Sequence, residues 1–193
     1  MGDGNKRQLD FAKNKLRVFD QMASMHFKIS DEYKAKYTIE DVAEIICSVV
    51  LCGLTFFDFD TYLPNLKLNT TLVFGFVSIF LFAFTLIKQA LGHKQLCEKH
   101  KLAGKMYVKA KFDLKSKIAQ WEAQQEISED IVDFVNTNFT ALEDLPQIPE
   151  KKFARLKYKH QSKVAFSKFL DAHPNDFWFI CKLKFRFTGK KEN

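Results

Sequence analysis

The longest apolar run in the chain is "LNTTLVFGFVSIFLFAFTLI", residues 68–87, which contains no charged residue. Twenty residues in a helix reach about 30 Å, the thickness of the hydrocarbon core of a bilayer. A helix at the surface of a soluble protein keeps a polar face toward water, and this run has none. The pattern therefore favours a membrane span over a central core helix.

A second, shorter apolar run precedes it, at residues 42–57. Thr38 followed by Asp41 is typical of a capping box and predicts that a helix begins there. This run tolerates Glu44 and reaches about 24 Å, which suits a short span, a core helix or an interfacial helix. Because a strong span follows after a short segment with Pro64, we interpret the two runs as a membrane hairpin over residues 38–87.

Each predicted span has one face of small or polar residues among large apolar ones. At about 100° per residue these positions share a face on their own helix. They are Glu44, Ser48, Thr55 and Asp58 on the first span, and Thr71, Gly75, Ser78 and Thr85 on the second. Such faces serve either as seams between packed helices or as the lining of a water-filled path. One hairpin cannot enclose a pore, so a conducting state would need a homo-oligomer.

Two further amphipathic helices flank the hairpin, one in residues 1–37 and a stalk in residues 88–127. The first has an apolar stripe at Leu9, Ala12, Leu16, Phe19 and Ala23. We expect the helix of the second span to continue into the stalk without a break. The apolar residues of the stalk lie on one face: Leu96, Ala103, Tyr107, Ala110, Leu114, Ile118 and Trp121. The sequence predicts that these two stripes pack against each other.

The remaining residues, 128–193, predict a C-terminal helical region that ends in a short strand. Ser128 can cap an acidic helix, two prolines form a linker, and a basic helix follows. From Cys181 onward apolar residues alternate with Lys182, Lys184 and Arg186, which is a period-2 strand signal. Aromatics alternating with cations suit a half-buried edge strand, a membrane-surface anchor or a polyanion-binding patch. The predicted fold class is thus mainly α, with one C-terminal strand.

Charge orients the hairpin and indicates its partners. Residues 40–87 hold one Lys/Arg against five Asp/Glu, whereas residues 88–193 hold twenty-one against thirteen. The positive-inside rule then places both termini in the cytoplasm. Basic residues outside the spans first indicate contact with anionic lipid, ahead of nucleic acid. The candidates for lipid or polyanion contact are Lys94, Lys101, Lys105, Lys109, Lys182, Lys184 and Arg186.

Catalytic and metal chemistry find little support in the sequence. No phosphate-binding loop, nucleophile elbow or recognisable carboxylate pair is present, so we expect neither an enzyme nor a cofactor. His93, Cys97 and His100 lie on one helix face at a spacing that could ligate a metal. Three ligands on one helix leave no fourth from the protein, and we interpret this face as structural.

The layout resembles the SLATT family of bacterial two-transmembrane effectors. The resemblance covers residues 7–125, with a local match at "HKLAGKMY", where His100, Ala103 and Tyr107 form a His-x-x-Ala-x-x-x-Tyr pattern. It implies an inner-membrane protein of an antiviral abortive-infection system that oligomerises and permeabilises the membrane. The implied trigger is a nucleotide second messenger or an associated sensor protein. The competing hypothesis is a non-conducting membrane tether whose basic cytoplasmic region recruits a protein or nucleic acid.

Overall fold

The structure is a computed structural model that describes residues 3–56, 70–124, 130–140, 142, 144–174 and 176–188. Within these residues the chain forms α-helices and no strand, so the mainly helical prediction is confirmed. The helices are α1 (Asp3–Thr55), α2 (Thr70–Leu91), α3 (His93–Gln124), α4 (Asp130–Thr140), α5 (Glu150–Asp171) and α6 (Trp178–Thr188).

The chain divides into two compact units. The first comprises residues 1–28 and 102–193, and the second comprises residues 29–101. The boundaries fall inside α1 and inside α3, so each of these helices contributes one part to each unit.

The first unit is built on the two predicted amphipathic stripes. Ala12, Phe19 and Ala23 of α1 are buried in one cluster with the stripe of α3, which confirms that these faces pack together. The α3 members are Tyr107, Ala110, Leu114, Ile118 and Trp121. Ion pairs border the seam, with Lys13 Nζ 2.8 Å from Glu122 Oε1 and Lys111 Nζ 2.6 Å from Asp20 Oδ1. These pairs show that α1 and α3 run antiparallel, since the residue with the higher number on α1 pairs with the residue with the lower number on α3.

A glycine of α3 makes room for an aromatic ring of α1 in this unit. A Cβ built on Gly104 of α3 would lie 2.9 Å from Cε1 of the Phe27 ring on α1. Real Cβ atoms do not approach other heavy atoms so closely, so any larger residue at this position would displace the ring. A larger residue at position 104 therefore fits only if the Phe27 ring moves.

The second unit exposes large apolar side chains instead of burying them. Those of α1 are Ile39, Val42, Ile45, Ile46, Val49, Val50 and Phe56; those of α2 are Leu72, Val73, Phe76, Val77, Ile79, Phe80, Phe82, Leu86, Ile87 and Leu91. One helical stretch of the described chain, Leu72–Ala123, is long and apolar enough to cross a membrane, and none of its most apolar window is buried.

Two helix boundaries differ from the sequence-based expectation. The predicted helix start at Thr38 is wrong, because α1 continues through it from Asp3 to Thr55 and its backbone needs no cap there. The expected unbroken helix after residue 87 is interrupted at Gly92, whose φ of 60° is left-handed. Hydrogen bonds from Gly92 N to Lys88 O (3.3 Å) and from Leu96 N to Gly92 O (3.0 Å) bridge the interruption.

The predicted C-terminal strand is also wrong, because residues 178–188 form helix α6. An isolated strand leaves its backbone groups without a ladder, and the described chain offers no strand to pair with. A helix satisfies these groups internally and still buries an apolar face. Cys181 is fully buried, and the Phe185 ring lies 5.3 Å from that of Phe166 on α5, centroid to centroid.

Candidate functional site

The most concentrated polar cluster of the second unit lies where the exposed apolar surfaces of α1 and α2 end. Lys88 of α2 reaches two carboxylates of α1, with its Nζ 2.5 Å from Asp41 Oδ1 and 2.5 Å from Glu44 Oε2. Asp41 and Glu44 share a face of α1 because they are three residues apart. One cation thus joins two anions across the two helices.

Thr85, one turn before Lys88 on α2, completes the same cluster. Its Oγ1 lies 2.9 Å from Glu44 Oε1 and 3.0 Å from Leu81 O, and its single proton is shared between these acceptors. Both oxygens of Glu44 are therefore engaged by α2. A carboxylate held by an ammonium and a hydroxyl at the edge of an apolar surface fixes the register of the two helices.

A further hydrogen bond extends the cluster beyond Gly92. His93 Nδ1 lies 2.6 Å from Glu40 Oε1, in a hydrogen bond that the carboxylate accepts. The other oxygen of Glu40 is buried and has no hydrogen-bond partner among the described residues. The ring of Tyr33 lies 5.8 Å from the His93 ring, centroid to centroid. The acidic side of α1 therefore meets Lys88 and His93 on either side of the glycine.

The cluster lines a cleft of about 330 Å³. Its walls include Glu40, Asp41, Glu44, Thr85, Lys88 and His93. Lys88 lies beyond the predicted span 68–87. Its hydrogen bond with Asp41, and to a smaller extent that with Glu44, raises its pKa above the ordinary 10.5. Lys88 consequently remains a cation throughout the physiological pH range. The cleft is a charged space, large enough for several waters, beside an apolar surface.

Of the eight residues predicted to line a seam or a path, the structure joins two. Glu44 and Thr85 are in hydrogen-bond contact. The hydroxyls of Ser48 and Thr55 bond to carbonyls of their own helix, Glu44 O at 2.8 Å and Cys52 O at 2.6 Å.

The remaining seam candidates make no contact with α1 that the structure describes. Ser78 is exposed, and a Cβ on Gly75 would meet nothing within 4 Å. The side chain of Thr71 and the whole of Asp58 lie outside the described residues. The small-residue face around Gly75 is therefore open, in contrast to the contacts at Thr85.

The residues of the SLATT-like pattern are buried in the helix packing. His100 is buried in the second unit, where its ring stacks on Tyr33 at 5.9 Å between centroids. Ala103 and Tyr107 are buried in the first unit, and the Tyr107 ring stacks on that of His26 at 5.4 Å. Burial raises the pKa of Tyr107. These positions therefore have a packing role in the described structure.

The three residues weighed as metal ligands each have another partner. His93 binds Glu40, the His100 ring stacks on Tyr33, and Ser30 Oγ donates to Cys97 O at 3.0 Å and lies 3.3 Å from Cys97 Sγ. Among the described residues no three His, Cys, Asp or Glu side chains converge on a metal position.

Sequence reasoning missed the central residues of the cluster: Lys88, Asp41 and Glu40. Lys88 was interpreted as one of many cations flanking a span, and Asp41 as part of a helix cap. A usable signal was present, since Glu40, Asp41 and Glu44 lie within about 100° of one another on α1 and the second helix has a single cation near the matching depth.

A basic cleft lies in the first unit, between α5 and α6. It has a volume of about 850 Å³, and its lining includes Tyr158, Lys159, Lys163, Phe166, Lys182 and Arg186. The lysines and arginine predicted to contact lipid or polyanion are all exposed: Lys94, Lys101, Lys105, Lys109, Lys182, Lys184 and Arg186.

Comparison of the chain with known protein families, characterised proteins and solved structures finds no match. The resemblance to SLATT proteins therefore rests on the layout and on His100, Ala103 and Tyr107.

Proposed function

We propose that the chain is an integral membrane protein that permeabilises the membrane when several copies assemble. The observation that supports insertion most directly is that no residue in the apolar window of α2 is buried. A core helix of a soluble protein would have most of this surface covered. An uncharged helix about 30 Å long matches the hydrocarbon core of a bilayer in both length and polarity.

In this proposal the apolar part of α1 enters the membrane with α2 as a hairpin. Glu44 is the only charged residue between Val42 and Thr55, and at the hairpin base it is paired with Lys88, which it shares with Asp41. A charge paired in this way enters the interface at lower cost than an isolated one. The surplus of cations outside residues 40–87 orients both termini toward the cytoplasm.

Two features of the proposed hairpin support permeability: a charged cleft and an open face of small residues. The charged cleft at its base holds Glu44, Asp41 and Lys88, and the small face with Gly75 and Ser78 is open. Small faces let helices from different copies approach closely, and polar residues in a membrane tend to face one another or water. Assembled hairpins would then place Ser48 and Ser78 on shared faces, with the Glu44 cluster at one end. An antiviral setting is proposed from the SLATT resemblance alone.

The test is leakage of dye and ions from anionic liposomes that contain the purified chain. Insertion is checked in the same samples by flotation after alkaline extraction, and a panel of cyclic oligonucleotides is added as candidate triggers. Leakage from liposomes with inserted protein is the expected result. If the protein inserts but the liposomes leak neither without nor with the cyclic oligonucleotides, a permeabilising effector that these nucleotides trigger is contradicted.

A double substitution tests whether the polar stripe lines the path. Glu44→Ala with Ser48→Ala removes the carboxylate and hydroxyl that the proposal places along it, so we expect leakage to change at least several-fold. The matched control is Glu98→Ala with Ser116→Ala, which removes the same groups from exposed positions of α3. Equal leakage by the two double variants would show that the stripe does not line the path.

The second candidate function is a non-conducting tether. It is favoured by the basic cleft between α5 and α6, where four cations surround a space large enough for a ligand or peptide. A tether predicts that liposomes containing the chain retain dye while capturing RNA or an acidic peptide. Lys159→Gln with Lys163→Gln should then weaken capture and leave insertion intact.

A further inference from the structure

Helix α6 presents an apolar stripe that no described part of the chain covers. Phe179, Ile180, Leu183 and Phe187 are exposed by 66%, 44%, 42% and 70%. At about 100° per residue these four side chains fall within an arc of about 100°. The stripe is therefore continuous along the helix.

The opposite face of α6 is the one that holds it to the rest of its unit. Cys181 is fully buried, and the Phe185 ring contacts Phe166 and Phe169 of α5 at 5.3 and 5.7 Å between centroids. Lys184 is paired with Asp176 at 2.8 Å, just before the helix begins. The helix is thus fixed by one face while the apolar stripe faces away from α5.

Cations border the stripe on both sides. Lys182 and Arg186 lie on one edge and Lys184 on the other, at about 20–60° from the nearest apolar residue of the stripe. The Nζ of Lys182 lies 4.8 Å from the ring centroid of Trp178. An aromatic stripe between basic edges is the pattern of a helix that lies in a membrane interface.

We propose that α6 docks flat on an anionic lipid surface through this stripe. Its eleven residues reach about 16 Å, which is too short to cross a bilayer and suits a helix parallel to the surface. Residues 150–188 hold ten Lys/Arg and three Asp/Glu, a net charge of +7 that complements anionic headgroups. A second copy is a poorer occupant, because a twofold pairing of the stripe would bring like-charged edges together.

This inference does not rest on the insertion of α2. If α2 spans the membrane, α6 docks on the surface of the same or a neighbouring bilayer. If α2 does not insert, α6 still binds lipid peripherally, and this binding is weakened by salt because it depends on the cations.

The test places a single tryptophan in the stripe of the full-length chain. Phe179→Trp is made on a background of Trp121→Phe and Trp178→Phe, which removes both native tryptophans. The chain is mixed with phosphatidylcholine vesicles, with or without phosphatidylglycerol, that contain acyl-chain-brominated lipid. We expect a blue shift and strong quenching on the anionic vesicles, and weaker quenching on the neutral ones.

Two matched variants sharpen the result. Phe112→Trp on the same background puts the reporter at an exposed position of α3, outside the cleft between α5 and α6, and should be quenched much less. Lys182→Gln with Arg186→Gln, combined with Phe179→Trp, should lower the ratio of docked to undocked helix about fivefold for each cation removed. Circular dichroism of each variant confirms that the helix content is retained.

Alkaline extraction of the same samples reports separately on α2. Chain that is extracted but whose Phe179→Trp reporter is quenched on anionic vesicles contradicts the insertion proposed above and supports docking of α6. Chain that resists extraction but whose reporter is not quenched overturns docking. A blue shift that grows with protein concentration in lipid-free detergent would also overturn it, since a second copy would then cover the stripe.

Discussion

Leu114 and Phe80 show how the two units of this chain treat the same kind of residue in opposite ways. Leu114 of α3 is fully buried in the first unit, whereas Phe80 of α2 is 68% exposed in the second. In the first unit apolar residues recur every three or four positions and polar residues fill the rest. In α2 large apolar residues cover every side except the small-residue face, so no single neighbouring helix can cover them. The difference lies in the arrangement of apolar residues and not only in their number.

This arrangement decides what stabilises each unit. A stripe on one face is satisfied by one partner helix, and the stripes of α1 and α3 provide that partner for each other. A mainly apolar, uncharged helix that no neighbour covers fits the proposed membrane environment. Substitutions should therefore act on the free energy of unfolding in the first unit and on membrane partition in α2.

The largest expected effect is on the packing of the first unit. Leu114→Ala removes a fully buried side chain and should lower the free energy of unfolding by about 2–5 kcal/mol. The measurement is a urea titration in detergent micelles followed by the fluorescence of buried Trp121, on a Trp178→Phe background. Leu102→Ala, at an exposed position of the same helix, should cost less than about 0.5 kcal/mol. Equal losses would contradict the described core.

The next effect is on insertion. Phe80→Lys places a charge near the middle of the predicted span 68–87 and should disfavour insertion by about 3 kcal/mol. The fraction of chain that resists alkaline extraction from vesicles measures this change. Phe112→Lys changes an equally exposed phenylalanine of α3 and should leave the fraction unaltered. If both variants insert like the parent chain, the apolar surface of α2 does not lie in hydrocarbon.

A smaller effect tests the close contact between α1 and α3. Gly104→Ala should lower the free energy of unfolding by about 1 kcal/mol, because displacement of the Phe27 ring outweighs the helix propensity that alanine adds. On a Phe27→Ala background the same change should become stabilising, since the obstructing ring is gone. Urea titrations of the four proteins complete the cycle, and an unchanged sign would refute the contact.

The smallest effect is a pH dependence at α6. The hydrogen bond from Lys184 lowers the pKa of Asp176 below its ordinary 3.8. A lowered pKa adds stability above the ordinary value, and this stability is lost as pH falls through the pKa of the folded state. Trp178 fluorescence on a Trp121→Phe background should therefore show a weak acid transition below pH 3.8. Asp176→Asn should remove that transition, and its persistence would assign it to another group.

Long periodic patterns were predicted well from the sequence. The stripes of α1 and α3 and the uncharged surface of α2 follow from repeated local signals, and they are present. Such patterns are reliable because every turn of the helix repeats the same requirement.

Short signals failed where several structures satisfy them. The alternation from Cys181 onward fits a strand, but Phe179, Ile180, Leu183 and Phe187 also define a helical stripe. Thr38 and Asp41 have the spacing of a cap, yet a helix that is already formed passes through them. The Glu44–Lys88 pair joins residues 44 positions apart, and no local pattern fixes which of many lysines meets which carboxylate.

Gly92 sets the rotational phase between the two helices that it joins. In a regular helix residues 88 and 93 would point about 140° apart, so only one of them could face α1. In this chain Lys88 meets Asp41 and Glu44, and His93 meets Glu40, because the left-handed residue between them offsets the second helix. A side chain that enforced regular helix at residue 92 would turn either Lys88 or His93 away from α1. The glycine thus acts as a phase shifter, and the charged cluster between α1 and α2 depends on a residue that has no charge.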